Sequence, residues 1–371
     1  MAKFAKVTTE MNVMNKQQSE ALHKSSLKGL DLCHFVEHNE TLADYVQALE
    51  KALAFIRACS HSPEPILVVA HVQPDGDAIS STLAVGWLLQ QWNLPHVMVN
   101  ENGVHGRLTF LHNAEQIREY GHPTLEGSTF RNVICVDCAD YSRVGKIVDY
   151  IAEDANVLNI DHHPTNDRYG QVALIREDAA ATTEILFDLL QYAQVELDKD
   201  VSTALYTGLL TDTGGFRYSN TTPHVMATAS QLLKRGVNGN DIADRLLEKM
   251  SLSQIQIIQR GLARLAFSVD NQISWLYVTP EDMQATGAAN EDLEGLVNYP
   301  RNIEGVEVGI LFKQVSAGAV KVSMRSAGKV NVAAVAQQFG GGGHVRAAGC
   351  RIEGELSDVI QMVVERVSQA L

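Results

Sequence analysis

The chain is 371 residues long, 45% hydrophobic and 20% charged, the make-up of an ordinary globular protein with room for about two or three domains. A formal net charge of −14 excludes a protein that tracks long duplex DNA through a basic stripe, so any phosphate it handles must be met by bound cations or a few local basic groups. No apolar run reaches the ~18 residues of a membrane span, no apolar core after Lys3 and Lys6 makes a signal peptide, and five cysteines frame no disulfide scaffold, so a cytoplasmic protein without membrane contact is expected.

Residues 1–40 are polar apart from an apolar patch at 30–36 and read as a flexible or loosely docked extension. Val46, Leu49, Leu53 and Ile56 recur at helical spacing and predict a helix over 42–59, stopped by Ser62-Pro63-Glu64-Pro65. The continuous apolar run 66–70 predicts a buried parallel strand. It discharges into His71-Val72-Gln73-Pro74-Asp75-Gly76-Asp77, ahead of a helix over 78–90. Gly76 is expected to let this turn take a backbone shape that other residues resist. A helix N-cap would use one of the two aspartates, and a His with two Asp within seven residues exceeds that need.

Strands are predicted at 96–100 and 132–136, the second ending at Asp137, with a loop-rich region between them. Cys135 and Cys138 form a C-x-x-C, but no second pair exists and Cys135 belongs to the apolar run, so zinc and redox readings are set aside. A short helix is predicted at 142–151. The run Val157, Leu158, Ile160 then stops at Asp161, His162 and His163, where Pro164 forces a turn. Two imidazoles and a carboxylate at the carboxyl edge of a strand suit divalent metals or phosphate, although a polar turn would account for the tripeptide by itself.

A helix over 179–193 opens with Ala179-Ala180-Ala181-Thr182-Thr183-Glu184, and Glu184 is read as part of its solvated face, with a role in orienting a ligand residue from behind as the alternative. A helix over 201–210 delivers Thr211-Asp212-Thr213-Gly214-Gly215, and further helices are predicted at 223–235, 241–248 and 251–266. Near residue 270 the pattern changes to α+β, with strands at 273–278, 306–314 and 319–325 and helices at 331–338 and 356–370. Phe339 and the four glycines Gly340, Gly341, Gly342 and Gly343 lead to His344 in what is expected to be a mobile loop. Its backbone N–H groups, helped by His344 and Arg346, could cradle an anion.

The polar residues at element ends, His71, Asp75, Asp77, Asp137, Asp161, His162, His163 and Asp212, are a mixed nitrogen and oxygen set suited to hard or borderline divalent ions. Four Asp in one empty crevice would repel one another, whereas two divalent cations carry the charge that balances them. A two-metal centre for phosphoryl displacement is the simplest account. In this order the motifs resemble those of the DHH phosphoesterase superfamily. The Gly-rich run ending at His344 and Ser323-Met324-Arg325-Ser326 resemble its associated C-terminal domain. The length and the glycine run look most like the nanoRNase and 3′-phosphoadenosine 5′-phosphate phosphatase branch. Gln73, where Asn is common, and Ser80-Ser81, where Gly-Ser is common, depart from the pattern without removing a ligand.

The resemblance implies an α/β fold: a doubly wound, mainly parallel catalytic metal-binding domain over 41–250, a helical linker over 251–270, and a smaller α+β substrate-binding domain over 271–371, with the active site in the cleft between the domains. It implies two divalent ions, manganese first, with magnesium or cobalt as alternatives. One would take His71, Asp75 and Asp137, and the other Asp77, Asp137, His162 and Asp212. Asp161 would hold the tautomer of His162, and His163 would contact the scissile phosphate. Arg325, Ser326, Gly342, Gly343 and His344 would bind the rest of the substrate. The implied reaction is transfer of a phosphoryl group to water from short oligoribonucleotides, small phosphorylated nucleotides, or both. Neither long duplex DNA nor membrane is a partner, and a homodimer is allowed. Cyclic- or linear-dinucleotide phosphodiesterase, inorganic pyrophosphatase and a non-catalytic nucleotide-binding regulator stay open as alternatives.

Overall fold

Strand-forming runs that lack polar alternation become the centre of a parallel sheet in the computed structural model, which describes residues 42–104 and 106–371. The extension read over 1–40 lies outside the described residues. The chain divides between Glu248 and Lys249 into two compact units.

In the first unit, helix α1 (Leu42–Ala58) precedes β1 (Ile66–Val69), α2 (Gly76–Gln91), β2 (His96–Asn100), β3 (Arg118–Glu119) and β4 (Phe130–Val136). Then come β5 (Ile151–Asp161), β6 (Val172–Ile175), α3 (Thr182–Tyr192), α4 (Lys199–Asp212) and α5 (Pro223–Lys234). Among the described residues its sheet has six strands in the order β3-β2-β1-β4-β5-β6, every pair parallel. The order reverses between β1 and β4, as in a doubly wound fold. Val68, Ile134, Leu158 and Ile160 meet the four helices α1 to α4 on one face. Leu67, Val69, Val133 and Cys135 meet Val144 and Ile147 on the other.

Several local expectations are revised. The helix expected at 142–151 is a run of 3-10 turns, Tyr141–Tyr150, broken at Gly145. Strand β5 is longer than its apolar run, because pairing to β4 starts back at Ile151. Strand β6, only four residues long, was not predicted. Helix α3 starts at Thr182, three residues later than expected, with Ala181 as an extended N-cap (φ −158°, ψ 155°).

In the second unit, α6 (Leu252–Leu262), β7 (Ala266–Phe267), β8 (Ile273–Val278), β9 (Val308–Ser316) and β10 (Ala319–Ser326) are followed by α7 (Val332–Gln337), β11 (Gly342–His344), β12 (Ala347–Glu353) and α8 (Leu356–Ser368). Its sheet runs β11-β12-β10-β9-β8-β7, antiparallel except for the β8–β9 pair. Val320, Val322 and Met324 share a core with Val332 and Val335 of α7 and Val359 and Val363 of α8. Ile257 and Ile258 of α6 pack with Leu276, Leu296 and Leu311 in a separate cluster.

The glycine run is not the mobile loop expected. Gly342, Gly343 and His344 form edge strand β11, paired to β12 through Gly349, Ala348 and Ala347. Gly343, at φ +138°, lies so close to β12 that a Cβ would come 2.5 Å from Ala347 O. The glycines are there for close packing as much as for freedom.

Gly309 on β9 tests the second unit in the same way, since a Cβ there would run into the backbone of Arg301. Gly309→Ala is expected to destabilise this unit by about 1–3 kcal/mol. Hydrogen exchange should speed up in β8, β9 and β10 and stay unchanged in β1, β4 and β5. Equal acceleration in both sheets would contradict the assignment.

Candidate metal centre

The reversal of strand order leaves a crevice beyond the carboxyl ends of β1, β4 and β5, the place where open α/β sheets bind ligands. His71 follows β1, Asp137 follows β4, and β5 ends at Asp161 with His162 and His163 next. Asp75 and Asp77 open α2, and Asp212 is the last residue of α4. The structure brings these residues into three groups whose ligand atoms lie within 4.8 Å of one another: His71, Asp75 and Asp137; Asp77, His162 and Asp212; and Asp137, His162 and His163.

Asp75 has two uses. Its Oδ1 caps α2 by accepting from the N–H of Asp77 and of Ala78, both at 3.1 Å, while Oδ2 lies 3.9 Å from His71 Nε2. Gly76 does not take the unusual backbone shape expected of it. Its Cα passes so close to α4 that a Cβ would sit 2.5 Å from Thr211 Cγ2, and the positive φ in this turn, +54°, belongs to Gln73.

Asp77 is fully buried, which pushes its carboxyl well above the usual range, and the charge of Asp137 adds to the effect. Asp212 is raised for the same reasons, burial first and then Asp77, Asp75 and Asp137. Asp137 goes the other way. Burial alone would raise it, but His71, His162 and His163 surround it and bring it down to about 2. Its backbone is left-handed (φ +52°), a conformation uncommon outside glycine, and its N–H is tied to Ile160 O at 3.0 Å.

Backbone carbonyls set two of the histidine tautomers. His71 Nδ1 donates to Val72 O (2.8 Å), which turns Nε2 toward Asp137 Oδ2 at 3.5 Å. His162 Nδ1 donates to Ala179 O (3.2 Å). His162 Nε2 then faces Asp212 Oδ2 at 3.4 Å and Asp137 Oδ1 at 3.6 Å, buried and without a hydrogen-bond partner. A buried ring nitrogen directed at two carboxylates fits a divalent cation, which would accept its lone pair and offset both charges.

Asp161 does not hold His162, contrary to the expectation. Its Oδ1 lies 2.8 Å from His163 Nδ1, and its Oδ2 accepts from Asn166 Nδ2 at 2.7 Å. The reason is periodicity: in extended chain, residues two apart share a side and adjacent residues do not. Burial pulls the His163 pKa down, but the hydrogen bond and charge of Asp161 outweigh it and leave it raised.

The late start of α3 completes the site. The N–H groups of Thr182 and Thr183, which no residue of their own helix can accept, donate to Asp77 Oδ2 (2.6 Å) and Oδ1 (3.1 Å). Thr183 Oγ1 donates to Asp77 Oδ1 (2.7 Å), and Thr182 Oγ1 to Asp137 Oδ1 (3.0 Å). Sequence reading missed both threonines, although a Thr pair at a helix start was a visible capping signal. Glu184 does not lie on the solvated face expected of it. It is buried, bonded to Arg176 Nη2, and its Oε2 accepts from Ala180 N–H at 2.7 Å, next to the carbonyl that orients His162. Arg176 also reaches Asp188 (2.6 Å), which accepts from Tyr45 (3.0 Å) and lies 3.3 Å from His224.

The other predicted contacts belong to the second unit. Arg325 is half-buried on β10, and Gly342, Gly343 and His344 are exposed on β11. Ser326 differs from expectation. It is buried, and its hydroxyl donates to Glu307 Oε1 (2.9 Å), which also gathers the N–H groups of Gly328, Lys329 and Val330. Cys135 and Cys138 are buried thiols pushed up by burial, Cys138 to about 11.

Residues 65–209 match the DHH family N-terminal domain and residues 273–371 the DHHA1 domain. The chain is 34% identical over 308 residues to the bifunctional oligoribonuclease and PAP phosphatase NrnA of Thermus thermophilus, covering 83% of this chain and 90% of that one. To the Bacillus subtilis protein of the same name it is 24% identical, covering 78% and 90%. An exopolyphosphatase-related protein from Bacteroides fragilis has the same fold, with a TM-score of 0.79 at 23% identity, over 87% of this chain and 96% of that one. Among the described residues, no helix is long and apolar enough to cross a membrane.

The ion cluster behind the site gives stability a pH dependence. Burial pulls His224 down, but Asp188 and then Glu184 raise its pKa above the usual 6.5. Burial would raise Asp188, and His224 and Arg176 bring it below 3.8. The His224 contribution is present below pH 6.5 and lost as pH rises through its folded pKa; that of Asp188 is lost only as pH falls below 3.8. His224→Gln should therefore cost about 1–2 kcal/mol near pH 5.5 and less at pH 8.5, measured by urea unfolding. A difference that does not change with pH would contradict this.

Proposed function

The chain belongs to the DHH family, and from that premise we propose that it hydrolyses short oligoribonucleotides to 5′-mononucleotides and 3′-phosphoadenosine 5′-phosphate to AMP. One observation carries the reading. Asp137 stands between two histidines whose Nε2 atoms face carboxylates, at 3.5 Å from His71 and 3.6 Å from His162, so two cation positions would share it. In this reading His71, Asp75 and Asp137 hold one ion, and Asp77, His162, Asp212 and Asp137 the other. The donor set favours manganese, with magnesium or cobalt as substitutes. Bound there, the two ions would lower the pKa of a water molecule and offset the charge developing on the phosphoryl group.

The protein's own groups do the positioning. Ala179 O fixes the His162 tautomer, and Val72 O that of His71. Thr182 and Thr183 hold the Asp77 and Asp137 carboxylates by four hydrogen bonds, so little reorganisation is left for the moment of reaction. Asp161 orients His163 through Nδ1, leaving Nε2 for the scissile phosphate. Arg325 and His344 bind the next phosphate or nucleotide, with Gly342 and Gly343 admitting it close to the backbone of β11.

His162→Ala should lower the metal content measured by elemental analysis, whereas His163→Ala should leave it unchanged. Both should lose most of their turnover. Equal metal loss in the two variants would contradict the division of roles.

Substrate length is the second test. A net charge of −14 gives a long polyanion little to hold, so turnover should be efficient on RNAs of about two to five residues and weak beyond ~10. A kcat/KM that climbs steadily from dimer to 20-mer at fixed salt would overturn the short-substrate reading.

A further inference from the structure

Residues paired directly across neighbouring strands point to the same side of a sheet. On β10, Val320, Val322 and Met324 enter the core beneath α7 and α8, so Lys321, Ser323 and Arg325 lie on the opposite face. The register arranges that face in rows. Arg325 pairs with Ala347, and Ala347 with His344. Two residues back along β10, Ser323 pairs with Gly349, and Gly349 with Gly342. Two residues further, Lys321 stands between Lys313 of β9 and Arg351 of β12. Lys321, Arg351, Gly342 and His344 are exposed, and the middle row carries no bulky side chain on β10, β12 or β11, although Leu311 fills it on β9.

Like charges directly opposite one another destabilise a sheet, yet Lys321 has a cation on each side. The local compensation is partial. Arg351 Nε lies 3.2 Å from Glu353, both side chains largely in solvent, and among the described residues Lys313 Nζ reaches only the neutral Asn290 Oδ1. Among the described residues Lys321 has no ion-pair partner. Partial burial, and then the charge of Lys321, push the Lys313 ammonium below its usual range. In a chain of net charge −14 this is an unusual place to gather cations, and an anion would relieve it.

We propose that Lys313, Lys321 and Arg351 form a second phosphate subsite, which takes a phosphodiester of the oligonucleotide beyond the one bound by Arg325 and His344. The inference rests on the short-RNA reading above. The two rows are four residues apart along β10, about 13 Å, a distance the backbone of a short oligonucleotide spans without folding. The flat row of Ser323, Gly349 and Gly342 lets it pass between them. Beyond Lys321, β10 has only Val320 and Ala319, so the track ends there and added length stops bringing contacts.

The test compares wild type with Lys321→Gln, Arg351→Gln and the double variant on 3′-phosphoadenosine 5′-phosphate, a dinucleotide and a pentanucleotide. Lys329→Gln, an exposed lysine off the row, is the control. The expected result is a five- to tenfold rise in KM for the pentanucleotide in the double variant, with kcat, both small substrates and the control within twofold of wild type. The salt dependence of pentanucleotide kcat/KM should become shallower by about 0.7 in log–log slope per cation removed. If the wild type acts on all three substrates but the variants lose activity equally on all of them, or on none, the subsite is refuted. If the wild type acts on none of the three, the short-RNA reading fails first and the subsite with it.

Discussion

Asp77 and Asp137 are buried close together, and two carboxylates out of water repel each other unless something nearby compensates. The first unit supplies that compensation from three directions. The N-terminus of α3 gives Asp77 two backbone N–H groups and a hydroxyl. Thr182 gives Asp137 another hydroxyl. Three imidazoles close in on Asp137 from β1 and β5. Asp77 and Asp212 still have carboxyls raised well above their usual range, so the protein alone does not fully support their ionised forms. A centre that is under-compensated yet geometrically fixed suits binding cations and holding them still.

The same need for fixed geometry explains the ion network behind the crevice. Arg176, Glu184, Asp188 and His224 are all buried, and buried ion clusters as a class are weak evidence of added stability. The use of this cluster lies in direction. Glu184 fixes the Ala180 N–H, and the preceding carbonyl fixes His162. The start of α3 is thereby anchored through Glu184, while the N–H groups of Thr182 and Thr183 serve Asp77.

The second unit solves a different problem. Its helices α7 and α8 cover one face of a mixed sheet, and half of the other face stays open and polar. Glu307 draws the chain after β10 into a tight turn with three backbone N–H groups, and Gly343 allows β11 to close onto β12. Strands held this way present Arg325 of β10 and His344 of β11 on either side of β12, where a loose glycine loop would not fix their spacing.

Much of this was legible in the sequence because it is local. Uninterrupted apolar runs ending in acids and imidazoles announced β1, β4 and β5 as buried strands with a reactive edge. The count of aspartates by itself pointed to cations. The sequence alone therefore determined the α/β class, the parallel sheet and the set of residues at its edge. Three things depended on tertiary structure. The partner of Asp161 follows from which side of the strand end each side chain takes, and that choice went to His163. The burial of Glu184 and the work of Thr182 and Thr183 follow from where α3 begins, which strand pairing and the approach of α2 decide, not helix propensity. Conversion of the glycine run into β11 needed β12 beside it, because an edge strand exists only when its neighbour supplies the hydrogen bonds.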